Sequence, residues 1–128
     1  MHVATIDHII VKVNDLEASV AFYTQIMGFK LEGKDGPFTL IQVGRDFQLL
    51  LHPHQTDGFE HYAFAMTRAE FDDVLGRIKA AGISHGPSFN TVGSNTGIGH
   101  ERGAQGMAPT LYFSDPNNHL LEIRTYEA

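Results

Sequence analysis

Residues 6–17, IDHIIVKVNDLE, and residues 59–70, FEHYAFAMTRAE, carry one pattern at an offset of 53. Each places a histidine, His8 or His61, third, and follows it with an apolar run of strand-forming type. Each then presents an N-cap residue, Asn14 or Thr67, with a glutamate three positions on, Glu17 or Glu70. That spacing predicts a capping box, whose side chains satisfy the orphan N–H groups of a first helical turn. A repeat governs the fold wherever one exists, so the rest of the chain is read against it.

Both boxes open an amphipathic stretch. Leu16, Val20, Tyr23 and Met27 share a helical face in the first copy; Phe71, Leu75 and Ile78, with Val74 beside them, do so in the second. Gly28 and Gly82 then stop the helices, and Phe29 and Ile83 re-enter extended structure. Strands are predicted at 29–33, 37–44 and 47–52, with turns at Asp35-Gly36-Pro37 and Gly44-Arg45-Asp46. The second copy predicts strands at 83–86, 108–114 and 118–124, the last two flanking Asp115-Pro116-Asn117-Asn118. The chain therefore reads as one α+β domain of two tandem βαβββ modules, 1–55 and 56–128, joined at Thr56-Asp57-Gly58. Residues 87–107, rich in Gly, Ser, Asn and Thr and without a clear period, interrupt the symmetry as a candidate binding loop or lid.

Strand alternation then sorts the side chains. Asp7, Ile9, Val11 and Val13 face the helix layer, so His8 points the other way, and by the repeat His61 does too. Leu121 and Ile123 likewise face the helices, leaving Glu122 and Arg124 on the opposite face. Aligning HLLEI with FQLLL puts Leu50 where the second copy has Glu122. Four equivalent positions result: His8, Leu50, His61 and Glu122. Three carry residue types that make good metal ligands, and two histidines plus a carboxylate with open positions suit Fe(II) or another divalent ion such as Mn, Ni or Zn. A carboxylate at an interior strand position has little structural excuse, since burying it unpaired costs several kcal/mol.

Bulk composition narrows the classes. With 42 % apolar and 19 % charged residues, the 128-residue chain folds around a core rather than staying disordered. The absence of cysteine leaves His and carboxylates as the metal donors. A net charge of −6 without a Lys/Arg cluster argues against a nucleic-acid partner. No apolar run approaches the roughly 18 residues needed to span a bilayer, and MHVATIDHIIVKV is not built like a signal peptide. A cytoplasmic protein acting on a small molecule, with no membrane partner, is the expectation.

The segments IDHIIVKVNDLEASVAFYTQIMGF, FEHYAFAM and LYFSDPNNHLLEI together resemble the vicinal oxygen chelate superfamily: glyoxalase I, fosfomycin-resistance enzymes, bleomycin-resistance proteins and extradiol dioxygenases. The resemblance implies two modules forming a partly open barrel around a metal that chelates adjacent substrate oxygens, and a homodimer. Leu50 departs from the four-ligand set of glyoxalase I, and no match to the oxyanion and potassium loop of fosfomycin enzymes is present. The order His100, Leu111-Tyr112, Asp115-Pro116, Glu122 leans towards the extradiol branch. Runner-up readings are a glyoxalase-like lyase or isomerase and an antibiotic-binding resistance protein.

Further candidates accompany the ligand set. His52 shares the face of Leu50, as a fourth ligand, an acid/base or a rim residue. His100 is a catalytic candidate in the long loop, its alternative a mobile surface histidine; Tyr112 is a substrate hydrogen-bond donor or ordinary packing. Leu50 would line the substrate pocket, while Arg102 and Arg124 are anion contacts or solvated charges. His2, His85 and His119 read as surface or turn residues, and His54 as a solvated strand end.

Overall fold

A computed structural model of the chain describes residues 4–128, so His2 lies outside the described residues. The chain divides into two compact units, Met1–Asp57 and Gly58–Ala128. The first contains β1 (His8–Val13), α1 (Leu16–Ala21) continued by a π-helical turn (Phe22–Ile26), β2 (Lys30–Asp35), β3 (Phe38–Val43) and β4 (Phe47–Pro53). The second contains β5 (His61–Ala65), α2 (Arg68–Ala80), β6 (His85–Gly86), β7 (Gly99–Gly103), β8 (Gly106–Ser114) and β9 (Leu120–Arg124). Strand order is β1-β4-β3-β2 in one sheet and β5-β9-β8-β6 in the other, with β7 also on β8. The opening strand of each unit runs parallel to its closing strand, and the remaining neighbours pair antiparallel. The class is α+β, with one βαβββ plan used twice.

Alternation does what the sequence predicts. Val11, Val13, Ile41, Leu49 and Leu51 are buried with Phe22, Tyr23 and Met27 in the first unit; Phe64, Leu111, Phe113, Leu121 and Ile123 are buried with Phe71, Val74 and Ile78 in the second. Each such side chain contributes about 1.5–3 kcal/mol on burial. Gly28 (φ 78°) and Gly82 (φ 69°) end the helices in the left-handed region that glycine enters without steric cost.

Four expectations are corrected. The capping box at Thr67 forms in full, with Glu70 N–H donating to the Thr67 hydroxyl and Glu70 accepting from Thr67 N–H. The box at Asn14 does not form. Asn14 instead donates to the Thr56 carbonyl and accepts from Thr56 N–H, both at 2.9 Å, and Asp15 takes over the cap, accepting from Ala18 N–H at 3.1 Å. The first helix also widens in its last turn, where the Thr24 hydroxyl donates to the Val20 carbonyl at 2.7 Å and competes with the regular ladder. Third, residues 87–107 are not one loop. Their second part is β7 and the start of β8, a hairpin whose strand GHERG has weak intrinsic β preference and is held by its partner. Fourth, His85 and His119 are buried rather than superficial, at 6 % and 1 % exposure.

Candidate metal centre

In the second unit, one sheet face gathers the chemistry. Cross-strand partners put His61 beside Leu120, Ala63 beside Glu122, Tyr112 opposite Glu122 and Thr110 opposite Arg124. Because neighbours across a ladder point the same way, His61, Tyr112, Glu122 and Arg124 share that face. Gly58 prepares the entry to β5. A Cβ there would lie 2.4 Å from the Asn118 carbonyl oxygen, so only glycine lets the strand approach the Asp115–Asn118 turn. That turn is itself tied by Asp115, whose Oδ1 accepts from Asn117 and His119 N–H at 2.8 and 2.9 Å.

His61 is oriented by its backbone neighbour. Its Nδ1 stands 3.0 Å from the Leu120 carbonyl oxygen, an acceptor, so the proton sits on Nδ1. Nε2 then faces Oε1 of Glu122 at 3.3 Å. A bare imidazole nitrogen and a carboxylate oxygen repel at that distance unless a positive charge, a second proton or a metal ion, lies between them. Donors held about 2.0–2.2 Å from one divalent ion at a right angle stand roughly 3 Å apart, which is the spacing seen. The histidine whose other nitrogen is pinned to a carbonyl is the usual support of a metal ligand. The donor set therefore fits a divalent cation.

Glu122, 4 % exposed, is the anchor. Its Oε2 accepts from Arg124 Nη1 at 2.7 Å, and it also takes a hydrogen bond from Tyr112. Burial first, then that bond and the negative charges of Glu122 and Glu101, push the Tyr112 phenol well above its usual range, with Arg124 pulling the other way. Tyr112 thus stays a neutral donor. Its ring stacks on that of His61 with centroids 5.9 Å apart.

The other candidates fall as follows. His8 opens β1 and is exposed, its Nδ1 2.7 Å from Oδ2 of Asp7. On the same face of the first sheet stand Gln48, Leu50 and His52, through the partners His8↔Gln48, Ile10↔Leu50 and Lys12↔His52. His52 rests against Phe38 and His54, and its buried Nδ1 has no hydrogen-bond partner among the described residues. Among the described residues no group of three His, Asp or Glu side chains stands close enough to hold one metal ion. The second unit alone brings together two candidate donors, His61 and Glu122.

The site roles of His100 and Arg102 do not survive, nor does either reading of Arg124. His100 and Arg102 pair with Pro109 and Met107, the register opposite to Tyr112, so they project from the face away from His61 and Glu122. Arg124 is neither a solvated charge nor an open anion contact: it is 5 % exposed, its Nη1 and Nη2 donate to protein acceptors, and its buried Nε has no hydrogen-bond partner among the described residues. Sequence reading missed Glu101 and Gly103, which occupy the site-facing register of β7. Only recognition of β7 as a strand would have exposed them.

Residues 5–123 match the profile of the Glyoxalase/Bleomycin resistance protein/Dioxygenase superfamily. The chain belongs to that superfamily. Among curated relatives, the Glutathione transferase FosA of Serratia marcescens is 24% identical, over 93% of this chain and 79% of the relative. The Metallothiol transferase FosB of Lysinibacillus sphaericus is 27% identical over 98% of this chain and 84% of its own. Among solved structures, Oxidase ChaP-H2 superposes with a TM-score of 0.82 at 29% identity, over 97% of this chain and 94% of that one. No helix among the described residues is long and apolar enough to cross a membrane.

Proposed function

We propose that this superfamily member is an Fe(II)-dependent oxygenase of extradiol type, acting on a small substrate with two neighbouring oxygens, with His61 and Glu122 as metal ligands and His8 of a second copy as the third. The observation that carries the reading is the His61–Glu122 pair: Nε2 and Oε1 stand 3.3 Å apart and the far side of each group is already committed to protein partners. Similarity to the Oxidase ChaP-H2 along nearly the whole chain supports the oxygen-dependent branch. When bound, the metal supplies Lewis acidity towards the substrate oxygens and, as Fe(II), a site for O2. Tyr112 holds the Glu122 carboxylate, its proton committed to it. His52, half-buried on the face of His8, is the candidate acid/base. Leu50, half-buried between Ile10 and Leu40 on that face, contributes apolar lining.

Anaerobic loading with Fe(II) followed by a catechol panel in an oxygen electrode tests the reaction; loaded protein that consumes no O2 with any catechol overturns it. The second reading, a thiol transferase or glyoxalase-like lyase with Mn, Ni or Zn, is favoured by the FosA and FosB relatives and predicts turnover without oxygen. As a homodimer, two copies would share ligands between modules. Mixing His8→Ala with His61→Ala chains then restores part of the activity, and no recovery after co-refolding rejects shared sites.

A further inference from the structure

We infer that Arg124 is a positioning residue that couples the metal seat to the β7–β8 hairpin, so that cation binding at His61 and Glu122 and ordering of that hairpin reinforce each other. The inference rests on the metal-seat reading above.

One guanidinium divides its donors between two structures. Nη1 donates to Oε2 of Glu122 at 2.7 Å and reaches the Arg102 carbonyl at 3.5 Å. Nη2 donates to the carbonyls of Glu101, at 2.8 Å, and Gly106, at 3.2 Å. The Tyr126 ring lies under the guanidinium, 5.1 Å from Cζ to its centroid, and the Tyr126 hydroxyl accepts from Gln105 N–H at 3.2 Å. Arginine's planar fork can serve both groups at once, which a lysine ammonium cannot. The consequence for Glu122 is directional. With Oε2 held by Arg124, Oε1 is the oxygen left facing His61.

The hairpin is built to receive this side chain. A Cβ on Gly103 would sit 2.3 Å from Arg124 Cζ, 2.6 Å from its Nη2 and 2.5 Å from the Tyr126 hydroxyl. Gly103 does not adopt a positive φ, so glycine is needed there for space rather than for backbone conformation. The strand itself pairs with β8 alone, which leaves it at the weakly held end of the sheet. Arg124 is its tie to β9. Where one side chain orients a ligand and anchors a weakly held element, coupling runs both ways: what stabilises either end stabilises the other.

Gly103→Ala is the informative variant, because it displaces the guanidinium without altering a ligand or Arg124. Mn(II) affinity is measured on the full chain by competition with a chromophoric chelator, for wild type, Gly103→Ala, Arg124→Lys and His61→Ala. Amide hydrogen exchange over 99–106 is followed with and without Mn(II). Gly103→Ala should bind about 10-fold more weakly, the cost usual for losing a ligand's supporting partner. Mn(II) should slow exchange over 99–106 in wild type and lose that effect in both Gly103→Ala and Arg124→Lys. An affinity for Gly103→Ala within twofold of wild type, or wild-type exchange indifferent to Mn(II), overturns the coupling while His61→Ala still abolishes binding. If His61→Ala binds Mn(II) like wild type, the seat itself is wrong, and the coupling falls with it.

Discussion

The two modules use one strand order and set very different pairs at one equivalent rung. In the first, Leu40 faces Leu50 across β3 and β4; at the equivalent rung of the second, Tyr112 faces Glu122 across β8 and β9. The edge strands differ too. β2 carries a register shift between Leu31 and Gly33, whereas near the same rung the second module's edge breaks into β6 and β7 around residues 87–98. The scaffold tolerates either pair; what a buried carboxylate adds is a demand for partners. Tyr112 and Arg124 meet that demand, Arg124 being held in turn by carbonyls of the extra hairpin, whereas the first module has leucine at the rung.

Erasing the difference gives the largest expected effect. Glu122→Leu should abolish metal binding and, by leaving the Arg124 guanidinium buried without its carboxylate, lower stability by about 3–5 kcal/mol. Adding Arg124→Met should recover most of the stability and none of the metal, since an apolar pair of similar volume replaces a buried ion pair at little cost. Urea unfolding and metal content measure the two losses separately. A single variant as stable as wild type would mean that the ion pair imposes no constraint.

The edge comparison comes next. The excursion 87–98 folds back on its roots: the His85 carbonyl accepts from Gly93 and Asn95 N–H, and a Cβ on Gly86 would lie 2.0 Å from the Thr91 carbonyl oxygen. Gly86→Ala should therefore cost about 1–3 kcal/mol by forcing backbone apart. Hydrogen exchange should rise in residues 85–98 and stay unchanged in β2; equal protection in both proteins would show that the excursion is not anchored there.

A pH-gated difference is smaller. Tyr62 and Tyr112 both lie in the second module, and burial, with Glu60 and Asp115, pushes the Tyr62 phenol up to about 12. The folded state thus holds the proton more tightly than the unfolded chain, whose tyrosines titrate near 10. That contribution is complete below about pH 10 and is lost as pH rises through about 12. Tyr62→Phe should flatten the fall in thermal midpoint over that window; an unchanged alkaline limb would assign the loss elsewhere.

The sequence made legible whatever periodicity and repetition control. Helix and strand placement, the buried face of each sheet and the shared face of His61 and Glu122 all follow from period 2, period 3.6 and the offset of 53. What stayed hidden depends on partners remote in the chain. β7 is a strand because β8 holds it, so the facing of His100 and Arg102 could not be read from GHERG. Arg124 looked like a surface charge because, Glu122 apart, its acceptors are backbone carbonyls, which leave no mark in side-chain sequence.

The smallest effect separates two helix starts that look alike on paper. Thr67→Ala should cost about 1 kcal/mol by removing a cap that also anchors Glu70. In the first module the equivalent loss, again about 1 kcal/mol, belongs to Asp15→Ala, because Asp15 rather than Asn14 accepts from the first turn. Asn14→Ala instead severs the two bonds to Thr56, and should raise amide exchange at Thr56 while leaving protection in α1 intact. Should Asn14→Ala unprotect Ala18 and Ser19 as Asp15→Ala does, the two modules start their helices in the same way after all, and the difference in caps drawn here is void.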